Sequence, residues 1–152
     1  MLSFYNNITQ LDSRQELTGI LLSTKKGCNM EIILVDDNPD HRLILKHRLN
    51  ELFEESRVND FSDASECLAY IEKKEKAPDM VVSDLFLEDS MDGMDLFLEL
   101  QKRKVSSKFI LVSSDQSALV KKSRYLRSQD RYFVKSNFLK ENPETLRNEL
   151  RG

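Results

Sequence analysis

Four places in this chain put a chemically competent side chain directly after a short apolar run. Asp36 and Asp37 follow Ile32-Ile33-Leu34-Val35, and Asp84 closes Met80-Val81-Val82-Ser83. Ser113 follows Phe109-Ile110-Leu111-Val112, and Lys135 follows Tyr132-Phe133-Val134. Singly, each is a polar residue where a loop begins. Together they are three carboxylates, a hydroxyl and an ammonium, a set suited to phosphate chemistry if one place gathers them. Clustered carboxylates repel one another and stay ionised only beside a cation. Oxygen ligands without His or Cys favour Mg²⁺, which keeps several waters and takes one or two carboxylates plus a phosphate. A carboxylate beside such an ion can act as a nucleophile and accept a phosphoryl group as an aspartyl phosphate. Lys135 suits the ammonium that offsets charge on the transferring oxygens, and Ser113 the hydroxyl that donates to one of them.

The elements that must position these groups alternate in period. The continuous apolar runs have the pattern of strands buried on both faces. Asn38-Pro39 supplies an N-cap and a proline at the first helical position. Leu45, Leu49, Leu52 and Phe53 then share one face of a helix ending near residue 55. Residues 58–61 read as a polar strand near an edge. Ala64, Leu68 and Ile71 mark a second helix, closed by the charged run 72–76 and Pro78. A loop with Gly93 leads to a helix carrying Met94, Phe97 and Leu100, and residues 117–127 form the helix after the fourth strand. Asn142-Pro143 repeats the cap signal and opens a fifth, final helix to about residue 150. This βα alternation predicts a doubly wound α/β domain of three layers, a five-stranded parallel sheet in the flavodoxin-like order 2-1-3-4-5. Ligands in such folds bind outside the carboxyl ends of the strands where the order reverses. All four chemical positions fall at that edge.

Composition narrows the function. The chain has 152 residues, a length for one domain, and residues 30–152 are expected to form it. Residues 1–29, rich in Asn, Ser and Thr and poorly patterned, read as an N-terminal arm, with Met30 a candidate natural start. A net charge of −3 with scattered cations argues against a dedicated nucleic-acid surface. No apolar run approaches the about 20 residues of a membrane span. Ile20-Leu21-Leu22 is too short for a signal core, and Cys28 and Cys67 form neither a disulfide framework nor a CxxC. A soluble, reducing, cytoplasmic setting is expected.

Five pieces in order carry a family resemblance: Ile33-Leu34-Val35-Asp36-Asp37-Asn38-Pro39, Met80-Val81-Val82-Ser83-Asp84-Leu85, Met91-Asp92-Gly93, Phe109-Ile110-Leu111-Val112-Ser113-Ser114 and Tyr132-Phe133-Val134-Lys135. With these pieces residues 30–152 resemble a response-regulator receiver domain, the CheY-like phosphoacceptor half of bacterial two-component signalling. The resemblance implies Asp84 as phosphorylation site, Asp37 as direct Mg²⁺ ligand, Asp36 acting largely through water, and the Phe86 backbone carbonyl as a further ligand. It implies Ser113 as switch hydroxyl, Lys135 as phosphate partner and Tyr132 as the aromatic that changes rotamer. A histidine kinase or histidine phosphotransfer protein would supply the phosphoryl group. A target protein would read the result on the fourth helix, fifth strand and fifth helix. Two departures stand out: Ser136 occupies the place of a usual proline, and Glu88 stands where proline often follows the third strand. Neither removes a chemical group.

Other readings fit less well. His41 and His47, six apart on a helix, point about 240° from each other and read as surface histidines. Cys67 reads as a buried free thiol, and Lys102-Arg103-Lys104 as a helix C-terminus where cations suit the dipole. A haloacid-dehalogenase type of hydrolase would want a second Asp two residues after the nucleophile, where Phe86 stands. The expected protein is thus a single-domain response regulator. It catalyses its own phosphorylation and dephosphorylation and turns over no metabolite. The alternative is a receiver-like adaptor that binds partners without phosphorylation.

Overall fold

A computed structural model describes residues 30–152, so the arm expected over residues 1–29 lies outside the described residues. Strands β1 (Glu31–Val35), β2 (Arg57–Phe61), β3 (Met80–Asp84), β4 (Lys108–Ser113) and β5 (Arg131–Val134) form one sheet in the order β2-β1-β3-β4-β5. Every pairing is parallel. Helices α1 (Pro39–Leu52), α2 (Ala64–Glu72), α3 (Gly93–Lys102), α4 (Gln116–Ser123), α5 (Lys135–Lys140) and α6 (Pro143–Arg151) complete it. The doubly wound topology is the expected one.

Strand alternation sorts the core into two layers. Ile33, Val35, Val81, Phe109 and Leu111 face α2, α3 and α4, where Cys67, Leu68, Phe97 and Leu119 pack. Ile32, Leu34, Met80, Val82, Ile110 and Val112 face α1, α5 and α6, meeting Leu45, Leu49, Phe138 and Leu146. β1 and β3 are buried along their whole length, which is why they read as unbroken apolar runs. β2 sits at an edge and is mostly half-buried. Cys67 is fully buried; burial, with the Asp63 charge added, pushes its thiol up to about 12, so no thiolate is available to react.

The caps are local and sequence-encoded. Asn38 accepts from the Asp40 and His41 backbone N–H groups, with Pro39 at the first helical position. Asp63 and Asp115 cap α2 and α4, Asp92 and Asp95 form a reciprocal capping box on α3, and Asn142 caps α6.

Three boundaries differ from the sequence expectation. Helix α1 stops at Leu52 rather than near residue 55, because Phe53 leaves helical geometry and turns into the core. Helix α4 runs over Gln116–Ser123 instead of 117–127. Its far end is drawn off by the buried Asp130, whose carboxylate accepts from the Arg127 and Phe109 backbone N–H groups. The third difference is α5, six residues inserted between β5 and the expected fifth helix, so that helix is the sixth. No side chain caps its start, so it sends no local signal; Phe138, buried beneath it, holds it in place.

Helix α3 ends as its basic run suggested, but through an unusual residue. Lys104 has φ 60, in the left-handed region. Its N–H donates to the Gln101 carbonyl and that of Val105 to the Leu100 carbonyl, the paired bonds of a Schellman cap, where glycine normally stands. A non-glycine residue there costs about 1 kcal/mol. Lys104→Gly should therefore stabilise the domain by about 0.5–1 kcal/mol in urea titration; a loss of stability would contradict this account of the cap.

Candidate functional site

The pairing register brings the chemical groups to one edge. Val35 stands opposite Ser83, Asp84 opposite Val112, and Ser113 opposite Val134. Asp36, Asp84, Ser113 and Lys135 thus leave four adjacent strands at the same level. Asp36 and Asp84 continue the phase of Ile32, Leu34 and Met80, Val82, which turns both toward the α1 layer.

Lys135 is the hub. Its Nζ lies 3.0 Å from Asp84 Oδ2, 2.9 Å from Asp36 Oδ2 and 2.9 Å from His41 Nδ1. Asp36 is fully buried and anchored by its surroundings. Its Oδ1 accepts from the Asn38 N–H at 2.9 Å, and its carbonyl from Arg42 Nη1 at 2.7 Å. Arg42 is itself held by Asp60 at 3.0 Å. Asp37 Oδ2 accepts from the Glu88 N–H at 2.9 Å, which ties the loop after β3 to the loop after β1. The Ser113 hydroxyl accepts from the Asp115 N–H at 3.1 Å. Asp37, Asp84, Phe86, Ser113, Lys135 and His41 line a cleft of about 240 Å³. A larger cavity of about 470 Å³ beside Met30 and Phe53 lies at the other end of the strands and holds none of these groups.

Gly93 makes the arrangement possible. A Cβ there would lie 2.1 Å from the Asp84 carbonyl oxygen and 3.0 Å from the Leu85 Cα. Only glycine lets the start of α3 approach the end of β3 this closely, with its N–H bonded to the Leu85 carbonyl.

The charges do not balance. One oxygen from each of Asp36, Asp37 and Asp84 lies within 4.8 Å of the others. Three carboxylates against one ammonium leave two uncompensated negative charges. Burial is the largest influence on Asp84 and raises its pKa, with the Asp36 charge adding to it; Lys135 and the Phe86 N–H oppose without prevailing. Burial alone would pull the Lys135 ammonium down, but its contacts with Asp36 and Asp84 outweigh it and hold its pKa above the ordinary lysine value. Asp36 Oδ2 is fully buried and is met only by the Lys135 ammonium at 2.9 Å, an ion pair without good hydrogen-bond geometry. An excess of two negative charges in an all-oxygen set of three converging carboxylates fits a hard divalent cation.

Each residue that the sequence singled out for phosphate or metal chemistry is brought to this edge. Tyr132 is not: it stands on β5, 44% exposed and outside the cleft. Phe86 lines the cleft, but its ring is 53% exposed. Sequence reasoning passed over His41, which is exposed as expected yet touches Lys135. Its place on the first turn of the helix after Asp36-Asp37 is the signal that could have found it.

The chain belongs to the response-regulator receiver domain family, whose description, "Response regulator receiver domain", matches residues 32–147. Members serve two-component signalling as switches rather than as metabolic enzymes, and typically bind Mg²⁺ through an acidic cluster. Solved structures agree. The Thermotoga maritima response regulator TrrA, in complex with Mg²⁺ and BeF, is 26% identical over 80% of this chain and 99% of its own, with a TM-score of 0.64. The receiver domain of an HD domain-containing protein from Pseudomonas fluorescens is 25% identical over 81% of this chain and 92% of its own, with a TM-score of 0.61. The Vibrio cholerae chemotaxis protein CheY4 shares the fold at 21% identity, covering 82% and 98%, with a TM-score of 0.62. A search of curated proteins finds no match to the sequence. Among the described residues no helix is long and apolar enough to cross a membrane.

The charge excess has a measurable consequence. Folding raises the Asp84 pKa, so above that pKa the native state carries the charge at a cost the unfolded chain does not bear. In chelator, Asp84→Asn should melt a few degrees higher than the wild type, and a lower melting temperature would contradict the charge argument. Millimolar Mg²⁺ should raise the wild-type melting temperature, and Asp37→Asn should remove most of that gain.

Proposed function

We propose that this protein is a phosphorylatable switch in which Asp84 accepts a phosphoryl group from a phosphohistidine of a histidine kinase or histidine phosphotransfer protein. The observation that carries the reading is the Asp84 carboxylate at the end of a central strand, 3.0 Å from a buried ammonium and beside two further carboxylates. Asp37, Asp84 and the Phe86 backbone carbonyl would hold Mg²⁺, with Asp36 acting largely through water. When bound, the ion would offset charge on the phosphoryl oxygens.

The chain's own groups do the rest. An Asp84 oxygen attacks phosphorus in line as the bond to the donor imidazole nitrogen breaks. Lys135 donates to a phosphoryl oxygen in place of one of its carboxylate contacts. The Ser113 hydroxyl turns from the Asp115 N–H and donates to another. Leu111, Tyr132, Ser113 and Val134 point to the same face of the sheet, because Leu111 pairs with Tyr132 and Ser113 with Val134. Space vacated by the hydroxyl is therefore on the side from which the Tyr132 ring can turn inward. That couples the phosphoryl group to the surface of α4, β5 and α6, where Val120, Tyr125 and Tyr132 are exposed. A target protein would read this surface.

A small phosphodonor with Mg²⁺ should add one phosphoryl mass to the wild type, and none to Asp84→Asn or in excess chelator. Equal labelling of the mutant sinks the assignment, and an unlabelled wild type points to a receiver-like adaptor instead. Phe86 lines the cleft and offers no group to orient an attacking water, so Phe86→Asn should shorten the phosphoryl lifetime several-fold; an unchanged or longer lifetime contradicts the shielding role. Ser113→Ala should keep the phosphoacceptor but weaken the NMR shifts of residues 115–134 on adding a phosphoryl mimic. Identical shifts in both proteins would rule out this route.

A further inference from the structure

Lys135 must be held to a fraction of an ångström if it is to stabilise a transferring phosphoryl group, yet its own segment constrains it weakly. It is the first residue of α5, a helix of six residues without a side-chain N-cap. Ser136, which follows it, does not lock φ as a proline would. The restraint comes from elsewhere. At the start of α5, His41 Nδ1 lies 2.9 Å from Lys135 Nζ. An ammonium can only donate, so Nδ1 accepts and the ring proton sits on Nε2.

At the far end of α5 stands Arg48, only 6% exposed. Its Nε donates to the Phe138 carbonyl at 2.9 Å, its Nη2 to the Glu141 carbonyl, and its Nη1 to Glu51 at 3.0 Å. The last carbonyls of a helix lack partners within it, and Arg48 supplies donors at this end. Packing does not call for a guanidinium here. Its neighbours in sequence on the buried face, Leu45, Leu49 and Leu52, are aliphatic, and an aliphatic side chain would avoid the desolvation cost of a buried charge.

His41 and Arg48 both belong to α1 and stand seven residues apart, which places them within about 20° of each other around the helix. One face of α1 therefore grips both ends of α5. The same helix begins just after Asp36 and Asp37, and its cap residue Asn38 donates its N–H to Asp36 Oδ1. The carboxylates and the ammonium thus share a single rigid support.

We propose that His41 and Arg48 are positioning residues for Lys135, fixing its ammonium from α1 at the two ends of the short helix that carries it. The proposal rests on the reading of Asp84 as phosphoacceptor. His41 is exposed, so its variants keep the fold. With phosphoramidate and Mg²⁺, His41→Phe should slow labelling of Asp84 by about tenfold. His41→Asn retains an acceptor near the place of Nδ1 and should return to within about threefold of wild type. In a Lys135→Met background neither substitution should slow the residual rate further. Arg48→Met, shown by a thermal melt to be folded at the assay temperature, should slow labelling to a similar degree. The ¹⁵N signal of the Lys135 ammonium should shift or broaden in His41→Phe while backbone amides remote from the site stay in place.

A wild-type labelling rate in His41→Phe overturns the role of His41 whatever the ammonium signal does, as does a loss that persists in the Lys135→Met background or that Asn fails to rescue. A wild-type rate in folded Arg48→Met overturns the role of Arg48. If the wild type itself takes no label while the ammonium signal still responds to His41→Phe, the phosphoacceptor reading falls and the positioning of Lys135 stands.

Discussion

Lys135 reaches two carboxylates that arrive from neighbouring central strands, 2.9 Å from Asp36 and 3.0 Å from Asp84. Such a triad is expensive to bury, and removing Lys135 would leave two carboxylates uncompensated in a low-dielectric interior. It also demands strict register. Were β3 to slip by one residue against β1, Asp84 would point into the opposite layer, toward Phe97 and Leu119. Continuous burial along β1 and β3 prevents the slip, because every position on both strands has a core neighbour to lose. The apolar sheet and the polar edge are therefore one design: the first fixes the geometry that the second needs.

The approach of α3 works toward the same end from the other side. With the Gly93 backbone against that of Asp84 and the Asp37 side chain bonded to the Glu88 N–H, the loop after β3 is tied at both ends. Asp36 is tied through its carbonyl to Arg42 and through Arg42 to Asp60 on β2. What stays free is the open cleft above Asp84. The scaffold is rigid where it holds ligands and open where a group must enter.

Much of this was legible in the amino-acid order because its signals are local. Runs such as Ile32–Val35 report burial on both faces, Asn38-Pro39 and Asn142-Pro143 report helix starts, and a polar residue after each run reports the sheet edge. The parts that were not legible depend on partners far along the chain. Helix α5 has no cap and exists because Phe138 is buried and Arg48, ninety residues earlier, meets its carbonyls. The end of α4 is set by Asp130 acting on Phe109, twenty-one residues away. His41 stands on the first turn after Asp36-Asp37, which puts it near the edge, but nothing local pairs it with Lys135, ninety-four residues on. Short-range chemistry reads directly, whereas long-range polar contacts between single residues leave no period and no motif.

The two outer strands bear on how such a domain lives at high concentration. An exposed sheet edge is a template for another chain to extend, and long, flat, apolar edges invite aggregation. Here β2 presents Arg57 to solvent and carries Asp60, bound to both Arg42 and Lys46. At the opposite side β5 is four residues long and opens with Arg131, whose guanidinium folds back onto the Ser128 and Asp130 carbonyls. Each border is thus short and occupied by charge, so that strand-to-strand annealing between copies is discouraged.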